Sequence, residues 1–223
     1  MKSFLYEMHA HTSESSSCAH QCARDVVEHY KAIGYDGIVF TDHMSTYKMN
    51  RKGLKTVEEK AEYFLAGYRE AKKYETEDFN VLLGMEMCFT EFEGDFLIYG
   101  LTEELLYEYH WDCFKNLEEF RPVAEKHGLL VFQAHPFRFD MTIQDPELLD
   151  GMEVYNGNPN HDSNNDIASL WANKYGLRRV SGTDYHGDAG TGPSGGLLFK
   201  RRVTDTALLC RELRNRDYAV KDE

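Results

Sequence analysis

Two histidines that stand two residues apart close the first apolar run of the chain. The run Phe4-Leu5-Tyr6 is typical of a short buried strand, and Met8-His9-Ala10-His11-Thr12 comes directly after it. Residues two apart on a strand point to the same face, so His9 and His11 are expected to lie side by side. Two imidazoles on one face make half of a metal site, although such a pair by itself is also found where histidines simply pack.

Comparable polar clusters recur further along the chain, each after an apolar segment. They are Thr41-Asp42-His43, Gly84-Met85-Glu86, Ala134-His135-Pro136 and Gly182-Thr183-Asp184-Tyr185-His186. In a βα barrel the carboxyl ends of the strands converge on one face, where the active site lies. Histidines that only pack would have no reason to recur at the same edge of each unit. The regularity therefore favours one shared site.

The chemical types of these side chains indicate which ions they would bind. The set mixes imidazole nitrogen with carboxylate oxygen and needs no thiolate: His9, His11, His43, His135, His186, Glu86 and Asp184. Such ligands suit Zn²⁺, Mn²⁺ or Fe²⁺ rather than Ca²⁺ or Mg²⁺ alone. Because the set exceeds what one tetrahedral ion uses, we expect two or three divalent ions, with Glu86 as the bridging carboxylate. Ions about 3.5–4 Å apart clamp a phosphoryl group and lower the pKa of bound water.

The elements that must position these clusters alternate between strand and helix. Hydrophobic patterns predict strands at residues 37–40, 79–83, 95–100, 129–132, 151–155, 179–181 and 197–199, and helices at 19–33, 56–74, 111–127, 164–175 and 205–216. A polar loop is expected at 44–55, a short helix and turn at 101–109, and a flexible glycine-rich segment at 187–196. The alternation, with no break in composition, predicts one α/β domain over residues 1–223, built mainly from βα units.

Composition and charge narrow the class of protein. A chain of 223 residues, 42% of them hydrophobic, is long enough to bury a substantial core. The net charge of −13 argues against binding of a long nucleic acid, whose phosphates need a basic counterface, but it permits a small phosphorylated substrate beside bound cations. The five cysteines are odd in number and lack CxxC pairs, which favours reduced thiols in a cytoplasmic protein. No apolar run is long enough to span a bilayer, so we expect no membrane partner, and we expect no signal peptide.

Taken together, the five clusters resemble in their order those of the PHP (polymerase and histidinol phosphatase) family, over essentially the whole chain. The resemblance implies a distorted (β/α)7 barrel with its metal site at the C-terminal ends of the strands. It also implies a two- or three-metal centre that hydrolyses phosphoesters. By position, the first ion would be held by His9, His11, Glu86 and Asp184, the second by His43 and His186, and the third by Glu86 and His135.

The chain departs from the family pattern at two places. Many relatives have an Asp or His just after the first motif, where this chain reads Ser15-Ser16-Ser17-Cys18-Ala19-His20. Either Cys18 or His20 could therefore complete the second ion's shell, and Cys18 as a packing residue is an equal alternative. Relatives also often carry a His in the strand after Gly-x-Glu, where this chain has Asp95, which would bind the third ion or cap a turn.

Other polar residues near the motifs would serve the ligands or the substrate. Arg138 follows His135-Pro136 and is placed to receive a phosphate as a bidentate donor, with a surface ion pair as the alternative. Asp42 would orient His43 through a hydrogen bond or cap the next turn. Asn156, Asn158 and His161 are substrate contacts or turn formers.

These observations lead to a metal-dependent phosphoesterase, with Glu86, Asp184 and Arg138 as catalytic residues. Activated water would attack phosphorus while the ions and Arg138 neutralise the developing charge. Substrates within this class are a phosphomonoester such as histidinol phosphate, a phosphotyrosine peptide or a short nucleotide phosphate. The alternatives are a dedicated histidinol phosphatase, a non-catalytic PHP structural or interaction module, and metal-assisted hydrolysis of an amide or lactone.

Overall fold

The computed structural model describes residues 3–187 and 195–221. Within these ranges the strands and α-helices follow one another as β1 (Phe4–Ala10), α1 (Ala23–Ala32), β2 (Gly37–Phe40), β3 (His43–Met44), α2 (Thr46–Arg51), α3 (Val57–Lys72), β4 (Asn80–Cys88), β5 (Asp95–Tyr99), α4 (Leu117–His127), β6 (Leu130–Gln133), β7 (Gly151–Asn156), α5 (Asn165–Tyr175), β8 (Arg178–Gly182), β9 (Leu197–Phe199), α6 (Thr206–Asn215) and β10 (Tyr218–Val220).

The strands form a sheet that curves into a nearly closed barrel. Neighbours are hydrogen-bonded in the order β10-β9-β1-β2-β4-β5-β6-β7-β8, with β3 on β4. Beyond β8, Tyr185 pairs in parallel with Ala10 of β1. The backbone N–H of His11 donates to the Tyr185 carbonyl at 3.0 Å, and the Tyr185 N–H donates to the His9 carbonyl at 3.2 Å. This closure brings β1, β2, β4, β5, β6, β7 and β8 into one ring and confirms the expected distorted barrel.

Strand β5 runs against its neighbours, which breaks the βα alternation. It pairs antiparallel with both β4 and β6, whereas β1 with β2, β2 with β4, β6 with β7 and β7 with β8 are parallel. Residues 89–94 are too few for a crossover helix, so the chain returns as a hairpin. The reversal places Asp95, the first residue of β5, beside Cys88, the last residue of β4.

Helix starts differ from those predicted because polar side chains cap later positions. Instead of one helix over 111–127, a 3-10 turn covers Trp111–Cys113 and α4 begins at Leu117, where the Asn116 side chain accepts the Glu119 N–H at 3.0 Å. Helix α1 begins at Ala23 rather than at residue 19, since Glu14 accepts the Ala23 N–H at 3.0 Å.

Local structure in the predicted loops also differs. The segment 44–55 contains the short helix α2, whose first turn is capped by Ser45. The segment 101–109 holds only a 3-10 turn at Glu104–Tyr107. Strand β10 had no predicted counterpart. Of the segment expected to be flexible, 188–194 lies outside the described residues.

Three clusters of buried apolar side chains hold the helices to the sheet. Phe64 of α3 and Phe120 of α4 share one cluster with Met85 of β4. The other two pack Tyr30 of α1 against β2, and α6 against β9 and the neighbouring strands. No helix within the described ranges is long and apolar enough to cross a membrane.

Candidate metal centre

The ligands predicted from the sequence lie along one rim of the barrel. They are His9 and His11 at the end of β1, His43 on β3, Glu86 on β4, His135 after β6, and Asp184 and His186 after β8. The predicted strand 79–83 would have placed Glu86 after its end, but in the structure Glu86 lies within the strand. Strand β4 continues to Cys88 because β3 and β5 pair with its last residues, and His43 is the register partner of Glu86.

The carboxylate of Glu86 lies at the centre of the cluster. Its Oε1 is 3.0 Å from Nε2 of His135 and 3.5 Å from Nε2 of His9. Its Oε2 is 2.8 Å from Nδ1 of His43 and 3.4 Å from Nε2 of His11. Each oxygen therefore faces its own pair of imidazole nitrogens.

The carboxylate of Asp184 also faces the two histidines of β1, His9 and His11. Its Oδ1 lies 3.4 Å from Nε2 of His9, 3.2 Å from Nε2 of His11 and 3.4 Å from Nδ1 of His186. The residue has a φ of 50°, in the left-handed region that non-glycine residues seldom adopt, so the surrounding contacts must hold it there.

The segment after β7 supplies some of those contacts. The amides of Asn156 and Asn158 donate to Oδ2 of Asp184 at 3.3 and 3.2 Å, and Nε2 of His161 lies 3.3 Å from the same oxygen. These three residues therefore orient the carboxylate, and Asn158 and His161 also line the cavity described below.

Several buried atoms that face the centre make no hydrogen bond of good geometry with the described residues, including His9 Nε2, His43 Nδ1 and Glu86 Oε2, although the last two lie 2.8 Å apart. A buried polar atom left in this way costs about 1–3 kcal/mol. Ligand atoms of an ion with bonds near 2.1 Å lie about 3–3.4 Å from one another, which is close to the 2.8–3.5 Å separating the nitrogens from the oxygens of Glu86. The residues present therefore fit divalent ions.

Three overlapping groups of side chains could each hold one ion. In every group the ligand atoms lie within 4.8 Å of one another: His9, Glu86 and His135; His9, His11 and Asp184; and His11, His43 and His186. Because one imidazole nitrogen binds one ion, His9 and His11 can each serve only one of the two groups in which they occur.

Burial and charge together set the protonation states of these groups. Burial opposes ionisation of Glu86, yet the charges of His43 and His9 hold the pKa of its carboxyl well below the usual range. Burial, with the neighbouring charges of His43 and His186, lowers the pKa of His11 well below its usual value. An ionised carboxylate and a neutral imidazole are the forms that bind divalent ions. Although burial opposes it, the neighbouring carboxylates raise the pKa of His9 and His43 well above its usual value, so these two imidazoles must lose a proton when an ion binds.

Cys18 and His20 were the two side chains predicted to complete the shell of the second ion. Of these, Cys18 is the one that contacts His43 and His186. Its thiol is hydrogen-bonded with His186 and His43, and Nζ of Lys48 lies 3.5 Å away. Although burial opposes ionisation, these neighbours lower the pKa of Cys18 to about 5. His20 is exposed and lines the cavity, with its backbone N–H donating to the His186 carbonyl at 2.7 Å.

Asp95 reaches the same rim because β5 is reversed. Its Oδ2 lies 3.7 Å from Nε2 of His135 and 3.5 Å from Nη2 of Arg138, while its Oδ1 accepts the Cys88 thiol at 2.7 Å. Asp95 thus lies beside the group of His9, Glu86 and His135. Its Oδ2 is farther from Nε2 of His135 than Oε1 of Glu86 is. Arg138 lines the cavity, and its contacts with described residues are loose: the pair with Asp95, a 3.8 Å approach of Nε to Asp140 and a 3.8 Å approach of Nη2 to the sulfur of Met141.

Two buried carboxylates that the sequence analysis missed support the ligands. Oε1 of Glu153 lies 2.9 Å from Nδ1 of His9, and its Oε2 accepts the His135 N–H at 2.8 Å. Oε1 of Glu7 accepts the backbone N–H groups of His9 and Thr183 at 2.8 and 2.9 Å. The available signal was an acid between apolar residues of a buried strand, where a charge is rare unless it is paired.

Asp42 acts on the loop after β1 and not on the ring of His43. It accepts the N–H and the hydroxyl of Thr12, both at 2.8 Å, and the hydroxyl of Ser16 at 2.7 Å. The Ser16 oxygen in turn accepts the His43 N–H at 3.1 Å. The predicted support of His43 by Asp42 is therefore indirect, through Ser16.

A cavity of about 660 Å³ opens above the centre. Glu86, Asp184 and His135 form part of its wall, and the basic side chains of Lys48 and Arg138 line it as well. An anionic group that enters would meet these cations together with any ions bound at the centre.

A family model described as the PHP domain matches residues 7–186. The matched range holds all seven predicted ligands. A search among curated proteins gave no match.

Solved structures share the fold at low sequence identity. A two-domain protein from Bacteroides vulgatus containing a predicted PHP-like metal-dependent phosphoesterase has a TM-score of 0.70 at 18% identity, covering 100% of this chain and 65% of that one. A protein from Bifidobacterium adolescentis proposed to be a metal-dependent phosphoesterase has a TM-score of 0.60 at 18% identity, over 95% and 96% of the two chains.

Endonuclease Q, solved with a 27-mer duplex that carries an abasic lesion at the active site, has a TM-score of 0.68 at 11% identity. The match covers 96% of this chain and 57% of that protein. Because a protein of this fold binds duplex DNA, the exclusion of long nucleic acid from this chain stays a prediction.

Proposed function

Because the chain belongs to the PHP domain family, we propose that it is a metal-dependent phosphoesterase acting on a phosphomonoester or a short nucleotide phosphate. The observation that carries the proposal is the position of Glu86, whose two oxygens face separate pairs of histidine nitrogens. Divalent ions held there, whether zinc, manganese or iron, would lower the pKa of water and neutralise charge on a phosphoryl group.

Each ligand has a proposed place in the centre. His9, His11, Glu86 and Asp184 would hold the first ion, His43, His186 and Cys18 the second, and Glu86 and His135, with Asp95 at longer range, the third. His20 is left outside these shells and would contact substrate at the mouth of the cavity.

Arg138 and Lys48 would bind the phosphate. Arg138 approaches Asp95 and Asp140 only at 3.5 and 3.8 Å, so its guanidinium is not committed to a close ion pair and can turn to a phosphate. Lys48 Nζ lies 3.5 Å from Cys18, beside the second group of ligands, and also lines the cavity. Two cations would thus approach the phosphoryl oxygens and stabilise charge that builds up in the transition state.

A neighbouring groove suggests where the leaving group lies. Its volume is about 570 Å³, and it shares Lys48 and Cys88 with the metal cavity. Tyr47, Phe89 and Thr90 contribute to its wall. Tyr47 is 68% exposed, so its ring is available to an aromatic or apolar alcohol. This wall supports an aryl phosphate more than a sugar phosphate as the substrate.

The test combines metal analysis with a substrate panel. The purified protein is expected to contain at least two divalent ions per chain and to hydrolyse p-nitrophenyl phosphate faster than glycerol phosphate. The panel also includes histidinol phosphate, a phosphotyrosine peptide, a dinucleotide and a DNA duplex with an abasic site. Asp184→Asn should abolish turnover, whereas Asp78→Asn, at a fully exposed position (99%), should leave it unchanged.

Two outcomes would contradict the proposal. A protein with no bound metal and no turnover would favour a non-catalytic interaction module. Hydrolysis of an amide or lactone that inorganic phosphate does not inhibit would indicate the other hydrolase class.

A further inference from the structure

A second cavity lies at the opposite end of the barrel from the metal centre. Its volume is about 410 Å³, and it lies between the end of α5, the start of β8 and strand β10. Arg179 in its wall lies near the start of β8, whereas Asp184 at the metal centre follows the end of that strand at Gly182, and the strand from Arg179 to Gly182 alone spans about 10 Å. The two cavities share no lining residue.

Among the described residues, the lining of this second cavity includes three arginines and no acidic residue: Arg178, Arg179 and Arg216. Within residues 3–187 and 195–221, none of the three guanidinium groups has a carboxylate oxygen within 4.0 Å. Their hydrogen bonds go to uncharged groups: Arg178 to the Asp150 carbonyl at 3.2 Å, Arg179 to the Ser169 hydroxyl at 2.9 Å and Arg216 to the Gly176 carbonyl at 2.6 Å. In a protein with a net charge of −13, three arginines in one cavity with no carboxylate partner in the described part of the chain are unexpected.

The hydrogen-bonding capacity of these arginines is also not used up by the protein. The Nε atoms of Arg178 and Arg179 are screened from solvent and have no partner among the described residues. A guanidinium offers five N–H donors, and each of these two side chains is seen to use few of them. The Nε atoms themselves are out of reach of a ligand, so it is the gathering of three guanidinium groups around one cavity, with no carboxylate among the described residues within 4.0 Å, that points to an anionic ligand.

The rest of the wall can accommodate carbon. Leu177 and Val220 line the cavity, and Tyr218 adds an aromatic ring that packs against Phe199 on its other side, with ring centroids 5.8 Å apart. A site with arginines on one part of its wall and apolar groups on another suits an anion that carries an organic group.

We propose that this arginine pocket, formed by Arg178, Arg179, Arg216, Leu177, Tyr218 and Val220, binds a small organic phosphate. The planar guanidinium forks match the paired oxygens of a phosphate, and the organic group lies against Leu177, Val220 and Tyr218. The volume is within the range of about 300–1,000 Å³ found for small-molecule sites. The site uses none of the residues of the metal centre, so it does not rest on the proposed function.

Calorimetric titration with phenylphosphonate tests the proposal, because phosphoester hydrolysis does not cleave its C–P bond. The metal-loaded protein should bind it at two sites, and Asp184→Asn should weaken only the one at the metal centre. Arg178→Gln combined with Arg216→Gln should weaken the other at least tenfold. Arg211→Gln removes an exposed arginine that lies 3.7 Å from Glu212, and it should leave both sites unchanged. Equal affinity in the double variant and the wild type would overturn the proposal.

Two further measurements separate the ligand class from simple misfolding. Arg216→Lys changes an exposed residue and keeps its charge, so the protein should fold normally by circular dichroism and still lose several-fold in affinity because the fork is gone. Unchanged affinity in this variant would contradict bidentate recognition. Benzoate, which carries the same ring on a carboxylate, should bind at least tenfold more weakly than phenylphosphonate. Equal binding of the two would show a carboxylate site and overturn the assignment to phosphates.

Discussion

The carboxylate of Glu153 is hydrogen-bonded to the ring of His9, with Oε1 2.9 Å from Nδ1 of the imidazole. The same carboxylate accepts the backbone N–H of His135 through its second oxygen at 2.8 Å. One buried acid thus orients two residues of the centre, and it leaves Nε2 of His9 facing Glu86 and Asp184.

Replacing Glu153 by glutamine should weaken metal binding without unfolding the protein. Outer carboxylates that fix a ligand histidine typically contribute 10- to 100-fold to metal affinity, so we expect a loss of about that size. Competition with a chelating indicator dye measures it. Glu147→Gln, at an exposed position on the preceding turn, is the matched control. Equal affinities in the two variants would show that Glu153 does not position His9 for an ion.

Glu86→Gln should remove at least one ion and reduce turnover by about 100-fold or more, since the bridge would lose its charge and one of its ligand oxygens. Elemental analysis of the purified variant and its kcat on p-nitrophenyl phosphate provide the measurement. Glu93→Gln changes an exposed acid in the hairpin that follows β4 and should behave as the wild type. Full metal content in Glu86→Gln would refute the bridging role.

Cys18 should give the second ion a sulfur ligand. Substitution with Co²⁺ is expected to produce a thiolate-to-cobalt charge-transfer band in the near ultraviolet, because the Cys18 thiol is hydrogen-bonded with His43 and His186 and its pKa is lowered to about 5. The band should disappear in Cys18→Ser and persist in Cys113→Ser, whose thiol is exposed. A spectrum that Cys18→Ser leaves unaltered would assign Cys18 to packing.

A methyl group at Gly182 would displace His9. A Cβ built there lies 2.5 Å from Cβ of His9 and 2.9 Å from Oε1 of Glu7, and neither atom is at the end of a free side chain. Gly182→Ala should therefore lower stability by about 1–3 kcal/mol and also weaken metal binding. Gly34→Ala meets no atom within 4 Å, and its φ of +90° makes it a control that costs about 1 kcal/mol of stability alone. Denaturant titration with and without metal separates the two effects.

The buried ion pair of Lys60 and Asp112 should matter for stability and not for the centre. Nζ of Lys60 donates to both oxygens of Asp112 at 2.9 and 2.8 Å, and the Asp112 side chain is fully buried. Lys60→Met would leave that charge unpaired and should cost about 3–5 kcal/mol. Lys115→Met breaks an exposed pair with Glu91 and should cost less than about 1 kcal/mol. Urea unfolding compares them, and equal midpoints would contradict the prediction.

The sequence was sufficient for the barrel class and for the order of the polar clusters. His9 and His11 share a face because strand geometry is local, and the apolar run before each cluster indicates a strand without knowledge of its neighbours. Helix starts were less predictable because caps such as Asn116 and Glu14 compete with hydrophobic periodicity.

The tertiary structure alone decided which donors meet. The reversal of β5 brings Asp95 to the rim. Pairing between distant strands also brings Glu153 into hydrogen-bond distance of His9, although the two residues are 144 positions apart in the chain. The arginine pocket is likewise assembled from α5, β8 and β10. Local propensity depends on neighbours in the chain, whereas the histidine nitrogens gathered around Glu86 and the arginines gathered in the second cavity depend on contacts between distant segments. For that reason the sequence determined the types of candidate ligand, and only the nearly closed sheet determined their geometry.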